Sequence, residues 1–241
     1  MAERQQKILI LGGTREAAEL AARLVAEGHD VTTALAGRTA EPKPLAGKLR
    51  SGGFSSAGHS GAEGLAHYLA IHQFTRLIDA THPFAQRISA NAERAAQITG
   101  IAFERHQRDP WRKQPGDRWI EVSSLEEARD ALPAGARALL ALGSQHIALF
   151  GARTDVYYLV RMVDPPARPL PLEHHDIVLG IPPGDAASEI ALMETHAISH
   201  LVCRNSGGSG AYAKIEAARQ LNLPAIIVQP VGDATSEDRK P

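Results

Sequence analysis

The sequence predicts an α/β protein of two domains, each built on a mostly parallel sheet. Three observations carry that expectation. Short unbroken apolar runs such as KILIL (7–11) recur along the chain, as strands buried on both faces of a parallel sheet require. Between them lie segments with helical periodicity, which gives the β–α alternation of parallel sheets. Near the middle, the polar stretch RDPWRKQPGD (108–117), with two prolines and a glycine, breaks the rhythm and marks the expected domain boundary.

The first domain, 1–107, opens with KILIL as a strand. REAAELAARLVAEG (15–28) follows as a helix with Leu20, Leu24 and Val25 on one stripe and Gly28 as its stop. DVTTALAG (30–37) is β-branched and returns as a strand, completing a βαβ unit whose expected hand is right. The alternation continues with a helix at EGLAHYLAIHQF (63–74), a strand at TRLIDAT (75–81), a helix at AQRISANAERAAQITG (85–100) and a strand at IAFERH (101–106). The second domain, 117–230, starts with the strand WIEVS and the helix SLEEARDAL, where Ser124 and Glu127 have capping-box spacing. Next come the strand ARALLALG (136–143), the helix-like SQHIALF, the strand VYYLVRMV (156–163), the Pro-rich DPPARPLPLEHH and the strand DIVLG. The domain closes with a helix in AASEIALMETHAI (186–198), the strand HLVCRN (200–205), the helix AYAKIEAARQLN (211–222) and the strand PAIIVQ (224–229). Residues 231–241 read as a disordered tail.

At 44% hydrophobic and 22% charged, the 241 residues hold enough apolar material for one large or two small cores without staples. The lone cysteine, Cys203, excludes an intrachain disulfide and, in the apolar context HLVC, reads as a strand residue rather than a nucleophile. With 26 basic against 27 acidic residues the net charge is −1, so no global field draws in nucleic acid or an anionic membrane. No apolar run is long enough to span a bilayer, and MAERQQK lacks the apolar core of a signal peptide. The expected location is therefore the cytoplasm. His174 and His175 adjoin in a Pro-rich loop and C-x-x-C is absent, so no metal site is expected.

Ligands of open α/β sheets gather outside the carboxyl ends of the strands, and four unusual loops fall there. In the first, Gly12 and Gly13 let the chain turn tightly and bring amides close to a phosphate, while Thr14 caps the helix and offers a hydroxyl. A plain strand-to-helix turn is the alternative. The second strand ends in Gly37-Arg38-Thr39; an arginine where NAD-binding folds often carry an acid suits a 2′-phosphate, and so NADPH, unless Arg38 is simply solvated. The second loop, DATHPFA (79–85), sets Thr81, His82 and Pro83 between a buried strand and a helix. His82 there either meets a ligand or proton, or caps the helix. The third, LGSQH (142–146), is a small-residue turn containing Ser144.

The fourth loop, CRNSGGSGAYAK (203–214), is the most distinctive. Asn205, Ser206, Gly207 and Gly208 can form a nest of N–H donors for an anion, flanked by Arg204 and Lys214, or a flexible Gly/Ser turn. Tyr212 and Lys214 are two residues apart, whereas the Tyr/Lys dyad of short-chain dehydrogenases needs four. A serine hydrolase is excluded as well: GGSGA around Ser209 and GHSGA around Ser60 both lack the last glycine of G-x-S-x-G.

GGTREA, DATHPFA, RDPWRK, LALGSQ, VRMVDPP and RNSGGSGAYAKIEAAR, in this order, closely resemble the precorrin-6A reductase family of cobalamin biosynthesis over almost the whole chain. The resemblance implies two Rossmann-like α/β domains with mostly parallel sheets and a ligand cleft between them. It implies NADPH as cofactor and, as substrate, a tetrapyrrole rich in carboxylates, one of whose double bonds is reduced to give precorrin-6B. Gly12, Gly13, Thr14, Arg38, Thr81, Arg204, Asn205, Ser206, Gly207 and Gly208 are then the cofactor candidates. His82, Tyr212 and Lys214 are candidate proton donors, because burial can tune each of them. Arg112, Ser144, Arg161 and Lys214 are candidate substrate contacts, with ordinary surface charge as the alternative for the two arginines. A different NADPH-dependent reductase, or a non-catalytic nucleotide- or tetrapyrrole-binding protein, stays open on the same fold. Oligomeric state and the presence of cobalt in the substrate are not written in the sequence.

Overall fold

Lys7–Leu11 forms strand β1 at the centre of a five-stranded sheet. Its alternate residues face opposite ways. Ile8 and Ile10 pack with Ala17, Leu20, Ala21 and Leu24 of helix α1 (Arg15–Ala26). Leu9 and Leu11 pack on the other side with Leu65 and Leu69 of α2 (Gly61–Ile71) and with Ala92, Ala95 and Ala96 of α3 (Gln86–Thr99). Helices thus cover both faces, which is why residues 8–11 are all apolar and buried. The remaining strands are β2 (Asp30–Leu35), β3 (Lys48–Ser51), β4 (Arg76–Asp79) and β5 (Ala102–Arg105). The order is β3-β2-β1-β4-β5, and every pair is parallel.

This computed structural model describes residues 5–37, 44–55, 60–106 and 108–230, and the chain divides into two units, Met1–Arg108 and Asp109–Pro241. Arg38 and the 231–241 tail, whose disorder the sequence predicts, lie outside the described residues.

The second unit holds a six-stranded sheet. Its strands are β6 (Arg118–Val122), β7 (Arg137–Ala141), β8 (Tyr157–Met162), β9 (His175–Leu179), β10 (His200–Arg204) and β11 (Pro224–Val228). They run in the order β6-β11-β10-β7-β8-β9, again all parallel. Helices α4 (Leu125–Asp130), α5 (Ala186–Thr195) and α6 (Ala213–Gln220) connect them, with a 3-10 helix at Ser144–Ala152. On one face Leu139, Leu159, Leu201, Cys203 and Ile227 pack with Met193, Ile198, Ile215 and both tryptophans. Cys203 is fully buried, and burial pushes its thiol up to about 11, the behaviour of a core residue.

Two elements differ from expectation. Strand β3 is missing from the sequence-based assignment because KLRS is polar and mostly exposed at the sheet edge, with one neighbour only. SQHIALF, expected as helix-like, is a 3-10 helix, a form proteins use in short pieces. Among the described residues no helix is long and apolar enough to cross a membrane.

Tyr158 is 1% exposed, its hydroxyl has no hydrogen-bond partner among the described residues, and burial pushes its phenol up to about 12. A buried unsatisfied hydroxyl costs about 1–3 kcal/mol. Tyr158→Phe, which keeps the edge-on ring contact with Phe150, is therefore expected to leave stability unchanged or raise it by about 1 kcal/mol in urea denaturation. A clear loss would place a partner on that hydroxyl.

Candidate functional site

In the first sheet the chain starts in the middle of the order and later resumes on the opposite side; in the second it starts at the edge with β6, moves to the middle at β7 and, after β9, resumes on the other side of β7 at β10. The reversal falls between β1 and β4 in the first unit and between β7 and β10 in the second. Connections leaving the two strands at such a point diverge, opening a crevice at their carboxyl ends. The four loops singled out in the sequence follow these four strands, two in each unit.

In the first unit the GGT turn follows β1. The Gly12 amide donates to the Ala34 carbonyl at 2.9 Å, and a Cβ on Gly12 would meet Thr33 Cγ2 at 2.8 Å, so this glycine serves packing. Gly13 differs. Its φ is +110°, which L side chains rarely adopt, and a Cβ there would meet nothing within 4 Å. Thr14 is the N-cap of α1: its hydroxyl accepts from Ala17 N at 3.1 Å and donates to the Ala80 carbonyl at 3.0 Å. The second bond joins the β1 turn to the β4 turn. Among the described residues the amides of Gly13, Thr14, Arg15 and Glu16 have no acceptor, and they are the donors a helix N-terminus presents to an anion.

The β4 turn is built on Asp79, which is 4% exposed. Asp79 Oδ1 accepts from Thr81 N at 3.1 Å and from Thr81 Oγ1 at 2.7 Å, so the Thr81 side chain shapes the turn. His82 Nδ1 accepts from Phe84 N at 3.3 Å. In the neutral ring the proton then sits on Nε2.

In the second unit the turns after β7 and β10 are joined by Arg204 Nη2 and His146 Nε2 at 2.7 Å. Burial pushes the Arg204 guanidinium below its usual range. Ser144, the first residue of the 3-10 helix, is exposed, and so is Arg112. Gly207 and Gly208 both take left-handed backbone, at φ 62° and 68°, the conformation glycine supplies without steric cost. The Asn205 side chain, predicted as a ligand contact, is instead committed internally. It accepts from Trp111 N at 2.7 Å and donates to the Trp111 carbonyl and to Gln229 Oε1, both at 2.9 Å.

Tyr212 and Lys214 flank the same turn. The Tyr212 hydroxyl accepts from Arg219 Nη2 at 2.7 Å. Lys214 is 7% exposed, donates to the Ala211 carbonyl at 2.6 Å, and lies 4.9 Å from the centroid of the Trp111 ring. Desolvation lowers the pKa of this buried amine. A cavity of about 450 Å³ opens beside the turn, lined by Trp111, Gly208, Ser209, Tyr212, the 184–186 segment and Glu216. A cavity of about 480 Å³ between α2 and α3 is bordered by Phe74 and Ile101, which precede β4 and β5. It thus lies at the amino ends of those strands, away from the crevice.

Arg161 was expected to clamp a substrate carboxylate. The structure pairs it with Glu189 through two bonds of 2.6 and 2.7 Å, and the residues are 8% and 1% exposed. A bidentate pair at this burial uses the guanidinium fork within the fold. His196 and His200 have i, i+4 spacing, but one caps α5 and the other begins β10. No cluster of three or more His, Cys, Asp or Glu suited to a metal occurs among the described residues. The residue that sequence reasoning missed is Trp111: the Trp-containing stretch was visible, but not its hydrogen bonds to a loop 94 and 97 positions away.

Two doubly wound parallel sheets, each with a glycine turn at its reversal point, define a two-unit α/β protein. The family model for precorrin-6x reductase CbiJ/CobK matches residues 7–239. Precorrin-6A reductase of Rhodobacter capsulatus is 43% identical over 92% of this chain and 87% of its own length. That of a Sinorhizobium species is 45% identical over 92% and 84%. The solved structure titled CobK precorrin-6A reductase superposes with a TM-score of 0.90 at 41% identity, covering 95% of this chain and 89% of that one. The chain belongs to the precorrin-6x reductase family, and as a member it is a reductase.

Removing one partner of a buried ion pair costs about 3–5 kcal/mol, whereas an apolar replacement of both is close to neutral. Glu189→Ala is expected to lose stability on that scale in denaturant titration, and Arg161→Met with Glu189→Leu to regain most of it. A Glu189→Ala variant as stable as the parent would return Arg161 to the set of ligand-binding cations.

Proposed function

We propose that the protein reduces one double bond of precorrin-6A with NADPH, giving precorrin-6B. The observation that carries the cofactor half of this reading is the Gly13 cradle. Its open left-handed backbone and the unpaired amides of the first turn of α1 fit a phosphate group. When bound, NADPH supplies a hydride to one carbon of the macrocycle. The family match and the named relatives support the substrate. Arg38, outside the described residues, is our candidate for the 2′-phosphate on the strength of its sequence position after β2.

Reduction also needs a proton at the atom bonded to the hydride acceptor. Of the three candidates, His82 is the one we favour. Imidazole is the one of these three side chains that ordinarily exchanges a proton near neutral pH, and the bond accepted by Nδ1 sets the proton of the neutral ring on Nε2. The Tyr212 hydroxyl accepts from the Arg219 guanidinium, and Lys214 Nζ donates to the Ala211 carbonyl of its own turn. These two residues order the C-terminal glycine turn, where Arg204, Ser206, Gly207 and Gly208 are placed to meet an oxyanion of cofactor or substrate.

Anaerobic assays decide the reading. NADPH fluorescence is expected to change on mixing with the protein, and near-ultraviolet absorbance to fall only when precorrin-6A is added. Binding without consumption would leave a nucleotide-binding protein, and consumption with a different acceptor another reductase. Gly13→Val is expected to weaken NADPH binding by about tenfold or more while the fold is retained by circular dichroism; unchanged affinity would remove the turn from the cofactor site. His82→Gln is expected to lower kcat by about a hundredfold with NADPH affinity intact, the scale of a lost general acid. Wild-type kcat in that variant would pass the role to solvent or to the macrocycle.

A further inference from the structure

We propose that Trp111 is a positioning residue of the C-terminal glycine turn, holding the Ser206–Ser209 backbone in the one conformation that presents its donors to an oxyanion. This rests on the reading above that the turn meets an oxyanion of NADPH or of the carboxylate-rich substrate. Trp111 lies in a stretch without regular secondary structure, yet it is only 9% exposed. It belongs to one buried cluster with Ile215, Ala217 and Ala218 of α6, and its ring meets Tyr212 edge-on at 5.8 Å and has Lys214 Nζ 4.9 Å from its centroid.

Its hydrogen bonds explain this burial. The main chain of Trp111 gives and takes one bond with the Asn205 amide, as two paired strand residues would. Its indole Nε1 then reaches the Gly208 carbonyl at 2.6 Å. One residue therefore holds the turn at both ends. The turn needs such a clamp, because two consecutive left-handed glycines, Gly207 and Gly208, have no side chain to bias them and lose the most backbone entropy on ordering.

The clamp also leaves the donors available. Among the described residues, the amides of Gly207, Gly208 and Ser209 have no acceptor. Ser206 is 7% exposed, and its hydroxyl makes no hydrogen bond to the protein there. Arg204 and Lys214 add positive charge beside them. Three amides and a hydroxyl without internal partners, beside two cations, are the complement of a phosphate or carboxylate. The carbonyl fixed by the indole belongs to the peptide that carries the Ser209 amide, so releasing it frees that peptide to rotate.

Trp111→Phe tests the role, since it keeps a ring in the packing and the main-chain bonds to Asn205 but deletes the indole N–H. The readouts are NADPH affinity by fluorescence, KM for precorrin-6A and kcat. The expected result is a rise of about five- to tenfold in either the NADPH Kd or the precorrin-6A KM, with kcat within about twofold. The constant that moves identifies the oxyanion. A purely structural role would lower the folded fraction and leave both constants alone. Should the phenylalanine variant fail to fold, 3-benzothienylalanine at position 111 in a Trp119→Phe background repeats the test with an isosteric ring lacking N–H. Both constants within about twofold of the parent, in whichever folded variant is measured, would overturn the proposal. A wild-type protein that neither binds NADPH nor reduces precorrin-6A would overturn the underlying reading and this one with it.

Discussion

Reversal of strand order in the middle of a parallel sheet is the constraint on which the candidate site depends. β1 is flanked by β2 on one side and β4 on the other, so the loops leaving β1 and β4 run to opposite faces. Backbone at that point is not consumed by the next strand or by a helix ladder, and its amides stay available. The crevice is held by few bonds, chief among them that from Thr14 Oγ1 to the Ala80 carbonyl. β7 and β10 repeat the arrangement, and the Arg204–His146 contact takes the bridging role. Glycine collects there because Gly13, Gly207 and Gly208 take left-handed backbone and Gly12 has Thr33 against it.

Among the described residues the second unit buries more ionisable side chains than the first, where Asp79 is buried. Arg161 and Glu189 are buried together, and Lys214 is buried beside the turn with the indole face and one carbonyl for company. Desolvating an ammonium is unfavourable unless something offsets it, and the lowered pKa of Lys214 expresses that penalty. The Trp111 ring offsets part of it, since a cation over an indole is favourable where water is excluded. Ordering of the glycine turn and burial of Lys214 therefore share one support.

Features dictated locally were legible in the sequence. Central strands buried on both faces must be apolar, so β1, β7, β8, β10 and β11 announced themselves. Left-handed backbone is most easily met by glycine, so Gly13, Gly207 and Gly208 marked their own turns. β3 was hidden because an edge strand needs neither apolar faces nor length. Partnerships across the chain were hidden too. Arg161 at a strand end looks the same whether it faces solvent or a glutamate 28 positions later. Asn205 in a polar loop looks like a ligand contact, although its amide is spent on Trp111. The same blindness applied to Gly12, which is small because Thr33 lies against it rather than because a ligand does.

The two glycine turns offer donors in physically different ways. In the first unit they belong to a capped twelve-residue helix, α1, whose aligned peptides add a partial positive charge at the turn. Regular helix geometry fixes their direction, and Thr14 is enough to cap it. In the second unit α6 has only eight residues, begins at Ala213, and has no side-chain cap at Tyr212. The residues of interest, Ser206 to Ser209, precede that helix and inherit no order from it. Their geometry has to be imposed from outside by hydrogen bonds to side chains, and their charge supplied by Arg204 and Lys214. A site of the first kind tolerates change in the surrounding loops as long as the helix forms. A site of the second kind is only as ordered as the residue that clamps it, which is why a tryptophan distant in sequence belongs to the working parts of the C-terminal turn.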